Sequence, residues 1–268
     1  MSFEYGLYIP GRGVFHRLDP RAKIIWALIV LAFSIYNGNY MMNPIYGGII
    51  YASALLALIS SKPTSFWYKL FGGLTAVILF FSLVFWPASA PRGGRPILII
   101  PILGWKYTDL ALNLALSKAF LVLSPIIAIA VIFITSRPGD LFQALVRWKL
   151  PYRLAYIPIL AFRFLPTVIV EIRTITDAQK SRALELEKGS IPSRIRKYIA
   201  IFVPLMIRMM RSALELGVAL DSKGFGVMKT RTFSRELRWR LYDTFMLCML
   251  IAVYIISLII LTRIPIWW

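Results

Sequence analysis

From Ile24 to Ser61 the chain carries no charged side chain. A bilayer core about 30 Å thick is crossed by about 20 helical residues, so this stretch is long enough to cross nearly twice. Asn37-Gly38-Asn39 and Asn43-Pro44 interrupt it with turn chemistry. The pattern predicts two membrane spans joined by a tight polar hairpin. Three more uncharged runs follow. Leu70 to Pro91 is a third span. Ala119 to Ser136 is a fourth, extended backwards through Leu110 to Ser117 across the single Lys118. Thr244 to Thr262 is a fifth, between Asp243 and Arg263. No short apolar segment with a small-residue cleavage site precedes Ile24, so no cleavable leader is expected.

Composition agrees. Of 268 residues, 59% are hydrophobic and 16% charged, against about 25% charged in a typical soluble domain. The apolar content excludes a disordered basic tail. A lone cysteine, Cys248, excludes a disulfide scaffold. The net charge of +19 then belongs to a membrane protein with one basic side, not to a nucleic-acid binder.

Charge also sets the orientation. Arg12, Arg17, Arg21 and Lys23 precede the first span, and Lys62 and Lys69 separate the second from the third. Arg137 to Arg240 holds 20 Lys/Arg against 8 Asp/Glu. With five spans these regions share one side, which the positive-inside rule assigns to the cytoplasm, leaving the C-terminus outside. Leu154 to Val170 resembles a further span. It is expected instead to be a cytoplasmic or interfacial helix, because Arg163 at its centre costs roughly 2.5–3.5 kcal/mol on insertion scales. The expected fold is an all-α integral membrane protein, with about five transmembrane helices and long cytoplasmic helices between the fourth and last spans. It divides into a membrane region over residues 1–136, a cytoplasmic region over 137–240 and a last transmembrane helix over 241–268.

The cytoplasmic region reads as three helical pieces: Gly139 to Lys149, Tyr152 to about Glu187, and about Ser193 to Leu220. Pro158, Pro166 and Pro204 should kink the last two, and Gly224 follows the third. Two short segments match. Ala178-Gln179-Lys180-Ser181-Arg182-Ala183 lies late in the second piece, and Ala219-Leu220-Asp221-Ser222-Lys223-Gly224 ends the third. Each places a cation between small residues, which leaves a long side chain free to enter a partner's pocket. The same cations also suit the negative end of a helix dipole, a contribution of about 0.3–1 kcal/mol. Spacing alone leaves both readings open.

Tyr8-Ile9-Pro10-Gly11 and His16-Arg17-Leu18-Asp19-Pro20-Arg21-Ala22-Lys23 resemble the N-terminal signature of the transmembrane T component of energy-coupling factor transporters. Leu150-Pro151 and Phe162-Arg163-Phe164-Leu165-Pro166 also fit, and the two matching segments resemble that family's paired small–Arg–small motifs. The resemblance covers essentially the whole chain. It implies a coupling subunit of an ABC-type importer for a vitamin or similar micronutrient. Its expected partners are two ABC ATPase subunits, a small substrate-binding membrane subunit and the lipid bilayer, with no nucleic acid and no cofactor. Ser181, Arg182, Ala183, Ser222, Lys223 and Gly224 would dock the ATPases. Two departures stand out: Ala183 where the family usually has Gly, and Lys223 where it usually has Arg. Lysine keeps the charge and loses the planar five-donor fork.

The rival classes fare worse. An enzyme needs a nucleophile, an acid–base pair or a metal cluster. Here the only histidine is His16, and no G-x-x-x-x-G-K-[ST] loop binds ATP. A standalone permease needs intramembrane polar groups, and Lys118 is nearly alone. A basic scaffold on anionic lipid explains the charge and leaves two matching motifs unexplained.

Overall fold

The computed structural model describes residues 13–85, 96–100, 105–148, 150–184, 190–225, 227, 237 and 239–263. Tyr8–Gly11 of the N-terminal signature lies outside these. The described residues form nine α-helices, one π-turn and a two-stranded hairpin. The helices are α1 (Val14–Arg17), α2 (Pro20–Tyr36), α3 (Pro44–Ser60), α4 (Ser65–Phe85), α5 (Asp109–Thr135), α6 (Pro138–Arg147), α7 (Tyr152–Ser181), α8 (Ile191–Ser222) and α9 (Leu241–Arg263). Contacts divide the chain into two units, one of residues 6–144 with 237–268, the other of 1–5 with 145–236.

The first unit is a bundle of α2, α3, α4, α5 and α9, and its helix starts are written into the sequence. Asp19 caps α2 by accepting from the Arg21 N–H, with Pro20 at the first helical position. Asn43 caps α3 through the Ile45 and Tyr46 N–H groups, with Pro44 in the same place. Thr108 caps α5. Proline is tolerated there because the first-turn N–H groups have no partner within the helix. The expected polar hairpin between α2 and α3 is a π-turn over Asn37–Met41, ended by Met42 in the left-handed conformation. Asn37 is buried, and its side-chain oxygen accepts from the Asn43 N–H.

Close packing draws the bundle together. Val30, Tyr46, Ile50, Ile127, Val131 and Tyr254 are fully buried in one core. The Tyr46 hydroxyl donates to the Tyr254 carbonyl, and Ser53 Oγ bonds the Tyr254 hydroxyl, joining α3 to α9. Gly47 lets α3 approach its neighbours. A Cβ there would lie 2.8 Å from Asn37 Nδ2 and 2.9 Å from Phe120 Cδ2. At Gly72 and Gly73 in α4, by contrast, an added Cβ would meet nothing within 4 Å.

Helix direction follows from these contacts. Gly13, just before α1, sits against the Ser60 carbonyl at the end of α3. Lys23 near the start of α2 bonds Thr135 and Ser136 at the end of α5. The Asp19 N–H bonds Asp243 at the start of α9. The start of α2, the ends of α3 and α5 and the start of α9 therefore share one end of the bundle. Lys118 bonds Asn39 at the opposite end. The basic residues Arg17, Arg21, Lys23, Lys62 and Arg137 all belong to the first end, and both junctions of the 137–240 insertion open from it.

Five helices are long and apolar enough to cross a membrane: Pro20–Met41, Ser65–Phe85, Asp109–Thr135, Leu154–Ser181 and Leu241–Arg263. The chain is an all-α multi-pass membrane protein by this measure. The set differs from the sequence expectation in one member. At 17 residues α3 falls short in length, and α7 qualifies. A helix of 17 residues still reaches about 25 Å. The strands β1 (Pro96–Ile100) and β2 (Trp105–Thr108) pair antiparallel between α4 and α5, a small hairpin that the charge pattern does not announce.

The second unit holds α7 and α8. The prolines at 158, 166 and 204 lie inside helices that continue past them.

Candidate functional site: two capped cationic helix ends

The ends of α7 and α8 are built alike. Helix α7 stops at Ser181, six residues before the expected end at Glu187. Arg182 is its cap residue, and Ala183 takes φ 62°, a left-handed backbone that non-glycine residues rarely adopt. The Ala183 N–H bonds the Lys180 carbonyl at 2.9 Å, and the Leu184 N–H bonds the Gln179 carbonyl at 3.1 Å. Helix α8 stops at Ser222, Lys223 caps it, and Gly224 takes φ 64°. The Gly224 N–H bonds the Asp221 carbonyl and the Phe225 N–H the Leu220 carbonyl, both at 2.9 Å. These paired bonds are the Schellman closure, which satisfies two of the carbonyls a helix leaves open.

The closure explains the small–cation–small pattern. The third residue must enter the left-handed region, where a Cβ is strained and glycine is at ease. Gly224 fits that requirement. Ala183 meets it at a cost. The first small residue turns its hydroxyl inward: Ser181 Oγ donates to the Asp177 carbonyl and Ser222 Oγ to the Ala219 carbonyl. What remains outward is the cation. Ser181, Arg182, Ala183, Ser222, Lys223 and Gly224 are all exposed. Among the described residues, no side chain pairs with Arg182 or Lys223.

The two ends are far apart. Helices α7 and α8 pack antiparallel around Ile175, Ile201 and Leu205. Gln179 near the end of α7 donates to the Ala200 carbonyl near the start of α8. Glu171 and Arg208 form an ion pair further along. Tyr156 at the start of α7 packs its ring 4.7 Å from that of Phe225, beyond the end of α8. Lys223 therefore lies some 23 residues along α8 from the place where the α7 end touches it, or about 35 Å. The structure does not bring Arg182 and Lys223 into one site. It presents them as two sites of one design. No group of three or more metal-binding side chains occurs among the described residues.

A second polar cluster, in the bundle, escaped the sequence reading. Asp243 is 1% exposed and accepts from the Asp19 N–H at 3.1 Å and the Arg240 N–H at 2.8 Å. Arg21 pairs with the Asp19 carboxylate, donates to the Leu237 carbonyl and lies over the Trp239 ring. Asp19-Pro20-Arg21-Ala22-Lys23 was legible as part of a signature. Its partners lie more than 110 residues away, and no local pattern names them.

The sequence pattern of the CbiQ family of cobalt transport proteins matches residues 11–233. The chain is 31% identical over 271 residues to the energy-coupling factor transporter transmembrane protein EcfT of Staphylococcus aureus, covering 95% of this chain and 96% of that one. It is 30% identical to the EcfT of Listeria innocua over 94% of each chain. It is also 30% identical to that of Bacillus selenitireducens over 92% of each. With a five-helix apolar bundle and two capped cationic helix ends, the chain belongs to the CbiQ family, as a transmembrane T component of energy-coupling factor transporters.

Proposed function

We propose that the chain couples ATP hydrolysis by two separate ABC ATPase subunits to uptake through a small substrate-binding membrane subunit. The cargo is a vitamin or a similar micronutrient. Helices α7 and α8 act as coupling helices. Ser181-Arg182-Ala183 docks one ATPase and Ser222-Lys223-Gly224 the other. The observation that carries this is the repetition of one helix-end design, with an outward cation, at two points about 35 Å apart along α8. A cation entering a carboxylate-lined groove gains a charge-assisted hydrogen bond, roughly twice as strong as a neutral one. A helix-dipole role alone requires neither the shared exposure nor the spacing.

The bundle spans the bilayer through α2, α3, α4, α5 and α9. Helix α3 belongs to this set because its two ends match those of α2 and its core residues Tyr46, Ile50 and Ala54 are fully buried there. Helix α7 does not, because Arg163 and Arg173 interrupt its apolar length. The basic end of the bundle faces the cytoplasm, with the N-terminus, and the C-terminus faces outward.

The deciding experiment is a pull-down of the purified ATPase pair. Arg182→Glu with Lys223→Glu should abolish capture while the size-exclusion profile stays that of wild type. Wild-type capture by the well-folded double variant would return both cations to a helix-end role.

A further inference from the structure

Five consecutive residues hold both junctions of the cytoplasmic insertion. Lys23 is 1% exposed, and its Nζ donates to the Thr135 carbonyl at 3.0 Å and Ser136 Oγ at 2.9 Å. Those two residues are where the chain leaves α5 for α6–α8. Asp19 and Arg21 hold the point of return. The Asp19 N–H donates to Asp243 in the first turn of α9, and Arg21 reaches the Leu237 carbonyl at 3.4 Å with its guanidinium 5.7 Å from the Trp239 ring centre. The Arg240 N–H completes the hold on Asp243. Only 13 residues, 224–236, separate Lys223 from Leu237.

The placement matters mechanically. An insertion joined to a bundle through free junctions can tilt while its junctions bend, and the tilt then reaches no helix of the bundle. Junctions clamped to a common point on α2 instead transmit the tilt to α5 and α9 together. The clamp is polar and directional, built of backbone groups and of carboxylates each held by two donors or more. Buried charged hydrogen bonds of this kind are strong while complete and costly to break. Beside it Phe15, Leu18, Trp26, Met246, Leu247 and Leu250 line a small, mostly apolar cleft into which Lys23 and Asp243 also face.

We propose that Asp19, Arg21, Lys23 and Asp243 form a clasp that couples movement of the α6–α8 insertion to the membrane bundle, and that loosening it uncouples ATP hydrolysis from uptake. The proposal rests on the coupling-subunit function above. Arg21 and Lys23 are positioning residues, since they act through the helices they hold.

The test uses the complete transporter in liposomes: this chain, the two ATPases and the co-expressed substrate-binding subunit. Radiolabelled B vitamins and cobalt(II) are screened first, and the one that wild-type liposomes accumulate becomes the probe. Arg21→Gln and Lys23→Met are compared with wild type for ATPase capture, ATP hydrolysis and uptake per ATP hydrolysed. Capture and hydrolysis should stay within about twofold of wild type while uptake per ATP falls about five- to tenfold, within the usual range of coupling between sites. Hydrolysis and uptake falling in proportion, or both unchanged, overturns the clasp. If Lys23→Met does not survive purification, Arg21→Gln and Trp239→Leu carry the test as a cycle. Both cut the same hold, so the double variant should be no worse than Arg21→Gln alone, and simple additivity overturns it. Failure of the wild-type chain to capture the ATPases at all would count against the proposed function and not against the clasp.

Discussion

Ala183 and Gly224 share a left-handed backbone, φ 62° and 64°, each one residue beyond an exposed cation that caps its helix. The smallness on that side of each cation is a backbone requirement. An L residue in this region carries a strain of roughly 1–2 kcal/mol, which glycine escapes. Ala183→Gly should therefore tighten the end of α7 by about 1 kcal/mol, and Gly224→Ala should loosen the end of α8 by a similar amount. Hydrogen exchange of the last turns is the direct measurement, because such opening is local. Protection at residues 180–184 should rise about fivefold in the first variant and fall about fivefold at 221–225 in the second. Unchanged exchange in both would mean that the closures do not govern these ends.

Gly47 and Gly72 look equivalent in sequence and differ in the bundle. Gly47→Ala brings a Cβ within 2.8 Å of Asn37 Nδ2 and 2.9 Å of Phe120 Cδ2. Asn37 is buried and already committed to Asn43, so it has little freedom to move aside. The variant should lose about 1–3 kcal/mol, the usual cost of overpacking. Gly72→Ala enters open space within α4 and should gain about 0.5–1 kcal/mol from helix propensity. Thermal unfolding in detergent should lower the midpoint of the first and hold or raise that of the second. The opposite order would contradict the packing of α3.

Much of this architecture is legible before folding, because the bilayer demands long uncharged helices and the sequence supplies them. Asp19-Pro20 and Asn43-Pro44 mark two helix starts by rules that need no tertiary context. The end of α7 is different. Ala183-Leu184-Glu185 has good helical propensity, and no glycine or proline announces the stop at Ser181. The closure is found only when the left-handed φ at Ala183 is seen. The clasp is hidden for another reason. Lys23 and Asp243 read as charges bounding a span, whereas their burial and partners depend on which helix ends the fold gathers together. The uncharged run over α3 marks it as a span. Its length alone falls short, and its packing along α5, with the Tyr46 and Ser53 bonds to Tyr254 of α9, supports the reading.

The isolated chain should hydrolyse no ATP, because nucleotide binding and hydrolysis belong to the proposed partners. Phosphate release by the purified chain should stay at the level of a denatured control, and should appear on addition of the ATPase pair. Hydrolysis that co-purifies with the chain through a second chromatographic step would require a site that the coupling role does not contain.

Orientation is testable with single cysteines in a Cys248→Ser background. Gly94→Cys, in the segment between α4 and α5, should react with an impermeant maleimide added outside intact cells. Ser190→Cys, between α7 and α8, should react only after the cells are opened. The reverse pattern would place the basic end of the bundle outside and sink the coupling function with it.

The two proposed docking ends should not contribute equally. Arg182 offers a planar fork of five donors that can meet a carboxylate through two parallel bonds, whereas Lys223 offers a point charge. Both are exposed, so neither substitution disturbs a packed core. Losing a cation whose carboxylate partner stays buried at an interface costs about 2–5 kcal/mol, and losing one at a rim costs far less. Arg182→Ala should thus weaken ATPase capture more than Lys223→Ala. Lys223→Arg should bind at least as tightly as wild type, since it restores the fork at the second end without altering Gly224 behind it. Arg182→Lys should fall between wild type and Arg182→Ala. Titrated pull-downs, with folding checked by size exclusion, give the order directly. Equal losses at the two positions would show that charge alone is read there, and no loss at either would remove both from the interface.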